Sequence, residues 1–589
     1  MSLSRSTITF ICVLLLLSII VATFLNSIAT DHNFYLDSKA QEENHTRYLG
    51  RKYGQITDDP KNVVWFLQIS DIHLSIFRDP GRISQFQQFC DVTVKIVKPM
   101  LVLASGDLTD AKAKDNLGSS QVKMEWVYYQ NIIKESGVTD HTLWLDIRGN
   151  HGILDEGEQE NLRRLKSEAI AQADQIIWFG HYPTSCILPL VINKQRMSLR
   201  DEIGDNAKTL AYLCGHLHSM GGFVPRMYTK QKRGYLELEL ADWKDSRMMR
   251  LMAVDHGLFS FVDQKHNTWP LVLVTNPKHA QYIMPGREPL ELIEGSTHIR
   301  ILAFSNVDIV DVKISFDKNN WQECLRREGP LYVCEWSPHL FAEGLHRLFV
   351  TVTDEMDKEV TIDHLFSLDG SVLGFEVNPR ILLMLDATTI FQGIFATLLL
   401  ATILPLVLLR FQKRPPKYHR RCGSNVLRRL WLLSKIDRIY YPLILYTIYL
   451  PFGPWAIGEL IDDHIGIVFA WGIVVKGTYI PEAFTYMYGS VQLMFVQIPL
   501  FFVLAHSLTT KLFCQNIKGI RRLFSNLPFI FLLSIQLLLA YFFWLEYGTM
   551  AFVFGPLRTW SIPLNIILWY KTWNLPLDHC RKLRSLNDL

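Results

Sequence analysis

Aspartate, asparagine and histidine recur in the first half of this 589-residue chain at the points where short apolar runs stop. The run 63–67 precedes Asp71-Ile72-His73, the run 100–103 precedes Gly106-Asp107, and the run 143–145 precedes Gly149-Asn150-His151. The run 176–179 leads into Gly180-His181, and 210–213 into Gly215-His216-Leu217-His218. Any one of these pairs alone reads as a turn or a cap. Five in succession, each after a strand-like run, point to one site that gathers donors from separate strands. Seven side chains offer an oxygen or nitrogen donor: Asp71, His73, Asp107, Asn150, His181, His216 and His218. Such a set suits two divalent cations and hydrolytic chemistry.

Two cations a few ångström apart repel each other, so a carboxylate has to sit between them, and Asp107 is placed for that role. Asp71, His73 and His218 then complete one shell, and Asn150, His181 and His216 the other. Mixed imidazole and oxygen donors suit iron, zinc or manganese, whereas calcium and magnesium favour oxygen alone. A divalent pair activates water at neutral pH and neutralises charge on phosphoryl oxygens, so a phosphate mono- or diester is the fitting substrate. His151, beside a donor, is placed to give a proton to the leaving oxygen or to stabilise charge on the phosphate. Continuous apolar runs read as strands covered on both faces, and open α/β sheets bind ligands beyond the carboxyl ends of their strands. The expectation is an α/β domain with its donors at one sheet edge.

The motifs and their order resemble those of the calcineurin-like metallophosphoesterase family: Asp-x-His, Gly-Asp, Gly-Asn-His and an acid, Gly-His, and Gly-His-x-His. The resemblance implies a β-sandwich flanked by helices, with two metals held by the seven residues named above and a phosphoester hydrolysed with help from His151. The wider layout resembles a membrane-bound branch of that family. The chain departs from the pattern at Gly152, where the family carries Asp or Glu, and only thirty positions separate His151 from His181. The absent acid would orient the His151 imidazole, a role worth roughly one or two powers of ten. A helix-spaced segment over 158–173 fills the connection, and one crossover helix suffices to join two parallel strands. The alternative function is a catalytically impaired pseudo-phosphoesterase that acts as a membrane interaction scaffold.

Hydrophobic residues at 49% exceed a soluble average and point to membrane segments, while a net charge of +3 gives no argument for nucleic acid. The uncharged stretch 7–25 is long enough for an uncleaved anchor, and Ser27-Ile28-Ala29 is an acceptable cleavage site. Residues 1–29 therefore read as a signal or anchor segment, after which the chain should be translocated. Residues 30–60 are charged and read as an irregular tether, with Asn44-His45-Thr46 as its glycosylation acceptor. The phosphoesterase domain occupies 61–265, and Asp255-His256 near its end reads as structural. Strands over 298–304, 310–316, 331–336 and 345–352 give 268–372 the spacing of an immunoglobulin-like β-sandwich. Cys324 and Cys334 flank a hairpin turn there; in an oxidising lumen they pair or stay free.

Residues 380–575 read as an α-helical transmembrane bundle with spans at 388–409, 439–457, 485–507, 525–546 and 550–570. The segment 465–475 is too short to cross and reads as re-entrant or interfacial. The stretch 410–435 holds nine Lys and Arg and no acid, so it should face the cytoplasm, as should the tail 576–589. Both sandwiches then face the lumen or the exterior, with the lipid bilayer as the one partner implied besides an unidentified phosphorylated substrate. Lys476, Glu482, His506 and Glu546 all fall near helix ends, so the bundle reads as an anchor or substrate-presenting scaffold rather than a channel.

Overall fold

The computed structural model describes residues 39–112, 114, 121–149, 172–187, 190–192, 195–197, 199–416, 422–461, 464–481, 484–513 and 520–587. Asn150, His151, Gly152, most of the expected helix 158–173 and the amino-terminal apolar segment lie outside them. The chain divides after Leu385 into two units.

In the first unit, β1 (Val63–Ile69), β2 (Leu101–Ala104) and β3 (Leu143–Asp146) run parallel. Strands β4 (Ile176–Phe179), β7 (Thr209–Cys214), β8 (Tyr228–Lys230) and β9 (Leu236–Glu239) follow, after which β10 (Met248–Asp255) and β11 (Leu258–Lys265) return to β1. Strands β5 (Leu190–Ile192) and β6 (Gln195–Met197) form a separate hairpin. Two sheets result, β11-β10-β1-β2-β3 and β4-β7-β9-β8. Side-chain alternation explains how they stack. Leu67 and Ile69 of β1 face a core closed by Phe86 and Tyr129, from the helices Gly81–Gln88 and Lys123–Ser136. Phe66 and, from β10, Met252 point the other way, against Leu213 and Leu238 of the second sheet.

This corrects the expectation of a single sheet edge. Strands β3 and β4 belong to different sheets, so the crossover between them does not join neighbours. A strand covered by helices on one face and by a second sheet on the other is as apolar as one covered by helices on both, and the runs alone do not distinguish them. Residues 30–60 also differ from an irregular tether: Lys39–Tyr53 is a helix, with Lys, Arg and Glu among its good helix formers, and it contains Asn44.

The immunoglobulin-like unit follows directly. Strands β12 (Leu271–Asn276), β13 (His298–Phe304), β16 (Leu325–Arg326) and β17 (Leu331–Glu335) make one sheet in the order β12-β13-β17-β16. Strands β14 (Ile309–Ser315), β15 (Gln322–Glu323), β18 (Leu345–Asp354) and β19 (Glu359–Ser367) make the other, ordered β15-β14-β18-β19. Ile299, Ile301 and Tyr332 of the first meet Val312, Val350 and Phe366 of the second. A disulfide joins Cys324 to Cys334 across ten residues of sequence. Opening so short a loop with Cys324→Ser and Cys334→Ser should cost about 2–3 kcal/mol, read as a lower denaturant midpoint.

Three histidines, the buried His364 and half-buried His279 of this sandwich and the buried His266 packed on Phe89 and Trp243 of the phosphoesterase domain, make the first unit acid-sensitive. Burial, with His279 alongside, pushes His364 down to about 3. Burial and Arg226 push His279 to about 4, and burial and Arg247 do the same to His266. Each returns toward the ordinary 6.5 on unfolding, so the unfolded chain binds protons first. Their stabilising contribution is complete above pH 6.5 and is lost as pH falls toward 4. The melting temperature should drop by more than about 5 °C between pH 7 and pH 5, and His364→Gln should flatten that slope.

Among its described residues the second unit holds three helical segments long and apolar enough to cross a membrane: Ala387–Phe411, Phe484–Phe513 and Phe524–Leu545. Five spans were expected. The helix begun near 439 runs only over Asp437–Phe452, because Pro451 and the Gly453-Pro454 pair end it. The segment 550–570 is broken at Gly555-Pro556, leaving the helix Ser561–Trp573. At about 1.5 Å per residue neither piece reaches the ~30 Å of a hydrocarbon core. The segment 465–475, expected to be re-entrant or interfacial, forms strands. It lies in a four-stranded antiparallel sheet of β20 (Ala456–Ile461), β21 (His464–Phe469), β22 (Gly472–Val475) and β23 (Thr478–Pro481). The basic stretch after 410 contains a further helix, Cys422–Ser434. Arg558, absent from the charges weighed above, is buried here and donates to Gln492 Oε1 at 2.7 Å.

Candidate metal centre

The loops that leave β1, β2 and β7 have an unusual backbone. Asp71, His73, Asp107, His216 and His218 all have positive φ, at 52°, 45°, 49°, 79° and 49°. A non-glycine residue held there costs about 1–3 kcal/mol, which its surroundings must supply. Backbone hydrogen bonds do so: Asp71 N to Gly106 O at 3.1 Å, His73 N to Asp107 O at 2.8 Å, and Gly215 N to His181 O at 3.0 Å. Two motif glycines are explained by close approach. A β-carbon on Gly149 would overlap Asp107, and one on Gly215 would overlap Ser70 and Asp71.

Six of the seven expected donors come together. Asp71, His73, Asp107 and His218 offer ligand atoms that all lie within 4.8 Å of one another. Asp107 Oδ2 stands 3.5 Å from His73 Nε2 and 3.4 Å from His181 Nε2. His181 Nε2 is 3.2 Å from His216 Nδ1, and Asp71 Oδ1 is 3.1 Å from His218 Nε2. Donors sharing a cation at bond lengths near 2.1 Å stand roughly 3.0–3.5 Å apart. The observed spacings match that better than they match charge-assisted hydrogen bonds of about 2.7–2.9 Å. Both ring nitrogens of His73 are buried and make no hydrogen bond among the described residues. His73 Nε2, facing Asp107, fits a divalent ion, while Nδ1 faces Asp110. The seventh donor, Asn150, and His151 lie outside the described residues, as noted.

Neighbours orient the donors. The carbonyl of Ser105 accepts from His181 Nδ1 at 3.0 Å, which fixes the proton on Nδ1 and leaves Nε2 free to bind. Asp71 accepts from Ser70 Oγ at 2.7 Å and from the His216 amide at 3.0 Å. Burial alone would raise the Asp71 carboxyl, but His218 and His181 outweigh it and hold it below the ordinary range. Burial would likewise lower His181, yet Asp107 and Asp71 raise it. His216 goes the other way: burial and His181 push it to about 4, keeping it in the neutral form that binds metal.

Sequence reasoning missed Asp110. Its Oδ1 lies 3.4 Å from His73 Nδ1, and Arg82 and Arg78 face the same carboxylate at 3.5 Å. The three-residue step from Asp107 was the available signal. It also missed Gln68, whose amide donates to Ser105 Oγ at 2.9 Å and to Cys214 O at 3.3 Å, joining β1 to β7 beneath the site. Asp255 and His256 sit at the opposite end of β1, where Asp255 pairs with Arg300 at 2.8 Å, far from the donors in register.

Comparisons agree with this geometry. Residues 64–310 match the calcineurin-like phosphoesterase pattern, 266–372 the TMEM62 Ig-like domain, and 388–520 the TMEM62 C-terminal domain. Over 584 residues the chain is 35% identical to transmembrane protein 62 of Mus musculus, covering 88% of this chain and 89% of the mouse protein. The chain belongs to the transmembrane protein 62 family. A protein of Arabidopsis thaliana named as a candidate metallophosphoesterase is 23% identical over 545 residues, covering 68% of this chain and 72% of its own. Among solved structures, a Cellulomonas fimi endo-beta-1,4-mannanase double mutant aligns with 51% of this chain and 47% of its own at 8% identity, with a TM-score of 0.15, a likeness too slight to inform the fold. This family member is thus a membrane protein with a metallophosphoesterase domain, and calcineurin-like phosphoesterases use a dinuclear metal site.

Proposed function

We propose that this protein hydrolyses a phosphate mono- or diester at a dinuclear centre of iron, zinc or manganese on the lumenal or extracellular side of its membrane. The convergence of six donors from two sheets on Asp107 is the observation that supports it most. Asp107 takes the bridging place, because one of its oxygens faces both His73 and His181. The chemistry supplied by a divalent pair held there is water activation and neutralisation of phosphoryl charge. The chain's own residues do the rest. Ser105 and Asp110 would set the imidazoles of His181 and His73, Asn150 with His181 and His216 would hold the second ion, and His151 would give its proton to the leaving oxygen. The basic stretch after 410 supports the orientation, in which Asn44 carries a glycan; a mobility shift on glycosidase treatment of cell-derived protein would test that.

Gly152, in place of the family's acid, supports a second reading as a non-catalytic scaffold. Metal analysis of the full-length protein in detergent, followed by hydrolysis of bis(p-nitrophenyl) phosphate and p-nitrophenyl phosphate, separates the two. Metal with turnover supports the enzyme. Bound metal without turnover supports the scaffold.

A further inference from the structure

The loop that follows the last donor ends in exposed apolar side chains. Ser219, Met220, Gly221 and Gly222 have φ of 49°, 53°, 66° and 86°. Hydrogen bonds from Met220 N to Leu217 O at 2.7 Å, Gly221 N to His218 O at 2.9 Å and Val224 N to Ser219 O at 3.1 Å close the turn. The turn is therefore built, and it holds Phe223 at 89% exposure and Met220 at 46%. Arg226, also exposed, follows two residues after Val224. An aromatic tip with a neighbouring cation is the composition of segments that lie in the membrane interface.

The base of this loop rests on the helix Val377–Met384. Val224 and Met227 pack with Leu383, and Leu217, between the donors His216 and His218, joins them with Leu382. Arg200 ties the end of the same helix, donating to the carbonyls of Leu383 and Leu385 at 3.0 and 2.8 Å and to Thr184 Oγ1 at 2.8 Å, three residues past His181. The membrane-crossing helix Ala387–Phe411 begins four residues after Leu383, and only 22% of its apolar window is buried. Four residues reach at most about 14 Å even fully extended. The loop base thus rests on the segment of chain that leads directly into the span.

We propose that the loop 219–226 seats in the bilayer surface and that the metal centre acts on a phosphoester carried by a lipid headgroup of that membrane. The second part rests on the phosphoesterase reading above; the first does not. The reaction adds water across a P–O bond: the hydroxyl goes to phosphorus, the proton to the leaving oxygen, and no redox partner is needed.

The test uses the full-length protein in vesicles of phosphatidylcholine with phosphatidic acid. A nitrobenzoxadiazole probe is attached at Phe223→Cys, with Leu340→Cys, 72% exposed on the other sandwich, as control and the unsubstituted protein as labelling background. Nitroxide-bearing acyl chains should quench the probe at 223 by about twofold or more and leave that at 340 unchanged. An unquenched probe at 223 overturns the seating. In parallel, Met220→Ser with Phe223→Ser should lower turnover of the vesicle lipids relative to bis(p-nitrophenyl) phosphate by about tenfold, and Met220→Leu with Phe223→Leu should restore the ratio. An unchanged ratio, or turnover of the soluble ester alone, overturns the lipid assignment. Failure to cleave either ester refutes the phosphoesterase reading, while quenching still decides the loop.

Discussion

Replacing Asp107 with alanine is expected to lower hydrolysis of bis(p-nitrophenyl) phosphate by at least about a thousandfold and to reduce bound metal. The size of the effect follows from position. Asp107 Oδ2 faces His73 at 3.5 Å and His181 at 3.4 Å, so one oxygen serves both halves of the centre. Removing it would take away the carboxylate oxygen that faces both His73 and His181 and leave only Asp71 of the cluster's two aspartates. Asp107 lies beyond the end of β2, with its ladder bond made by the backbone, so the fold should survive and circular dichroism should be unchanged. Asp107→Asn keeps the shape without the charge and should recover little. Turnover that persists after Asp107→Ala would remove the enzyme reading.

Arg250→Ala should be the most damaging change away from the donors. Arg250 is wholly buried and binds Asp263 through two nitrogens at 2.6 and 2.8 Å. It also donates to Gln68 Oε1 at 3.0 Å and to the carbonyls of Leu238 and Glu239 at 3.1 Å. Its guanidinium stands 5.4 Å from the Tyr228 ring centroid and 5.1 Å from that of Phe261. One side chain therefore connects β10, β11 and β1 of the first sheet to β9 of the second. Truncating it leaves the Asp263 carboxylate without its buried cation, a loss of about 3–5 kcal/mol. In detergent this should appear as a fall of roughly 10 °C in melting temperature. The pair Arg250→Met with Asp263→Leu removes both charges and should recover most of that loss; if it does not, the ion pair is not what joins the sheets.

The candidate donors were legible because Asp, Asn and His state their chemistry in residue type, and each stood at the end of an apolar run. The glycines before Asp107, Asn150, His181 and His216 were legible for the same local reason, and Gly149 and Gly215 prove to be places where no β-carbon fits. The immunoglobulin-like strands were legible too: 298–304 is a strand over its whole expected length. Other elements carried signals that were outweighed. Lys39–Tyr53 is made of good helix formers, yet its charge made it read as a tether. The segment 465–475, within the sheet Ala456–Pro481, is rich in Ile, Val and turn glycines, yet its apolarity made it read as re-entrant or interfacial.

Sequence alone was thus enough to single out six side chains that meet in the fold, Asp71, His73, Asp107, His181, His216 and His218, and the apolar helix expected at 388–409. It did not settle that the donors leave from two sheets, that Arg250 and Gln68 join those sheets, or that Leu217 and Arg200 rest on the helix before the membrane. The reason is range. Donor chemistry and strand apolarity are local properties, written within a few residues. Sheet membership and the partner of a buried polar group depend on distant segments, 182 residues apart for Arg250 and Gln68, and only the folded chain brings those together.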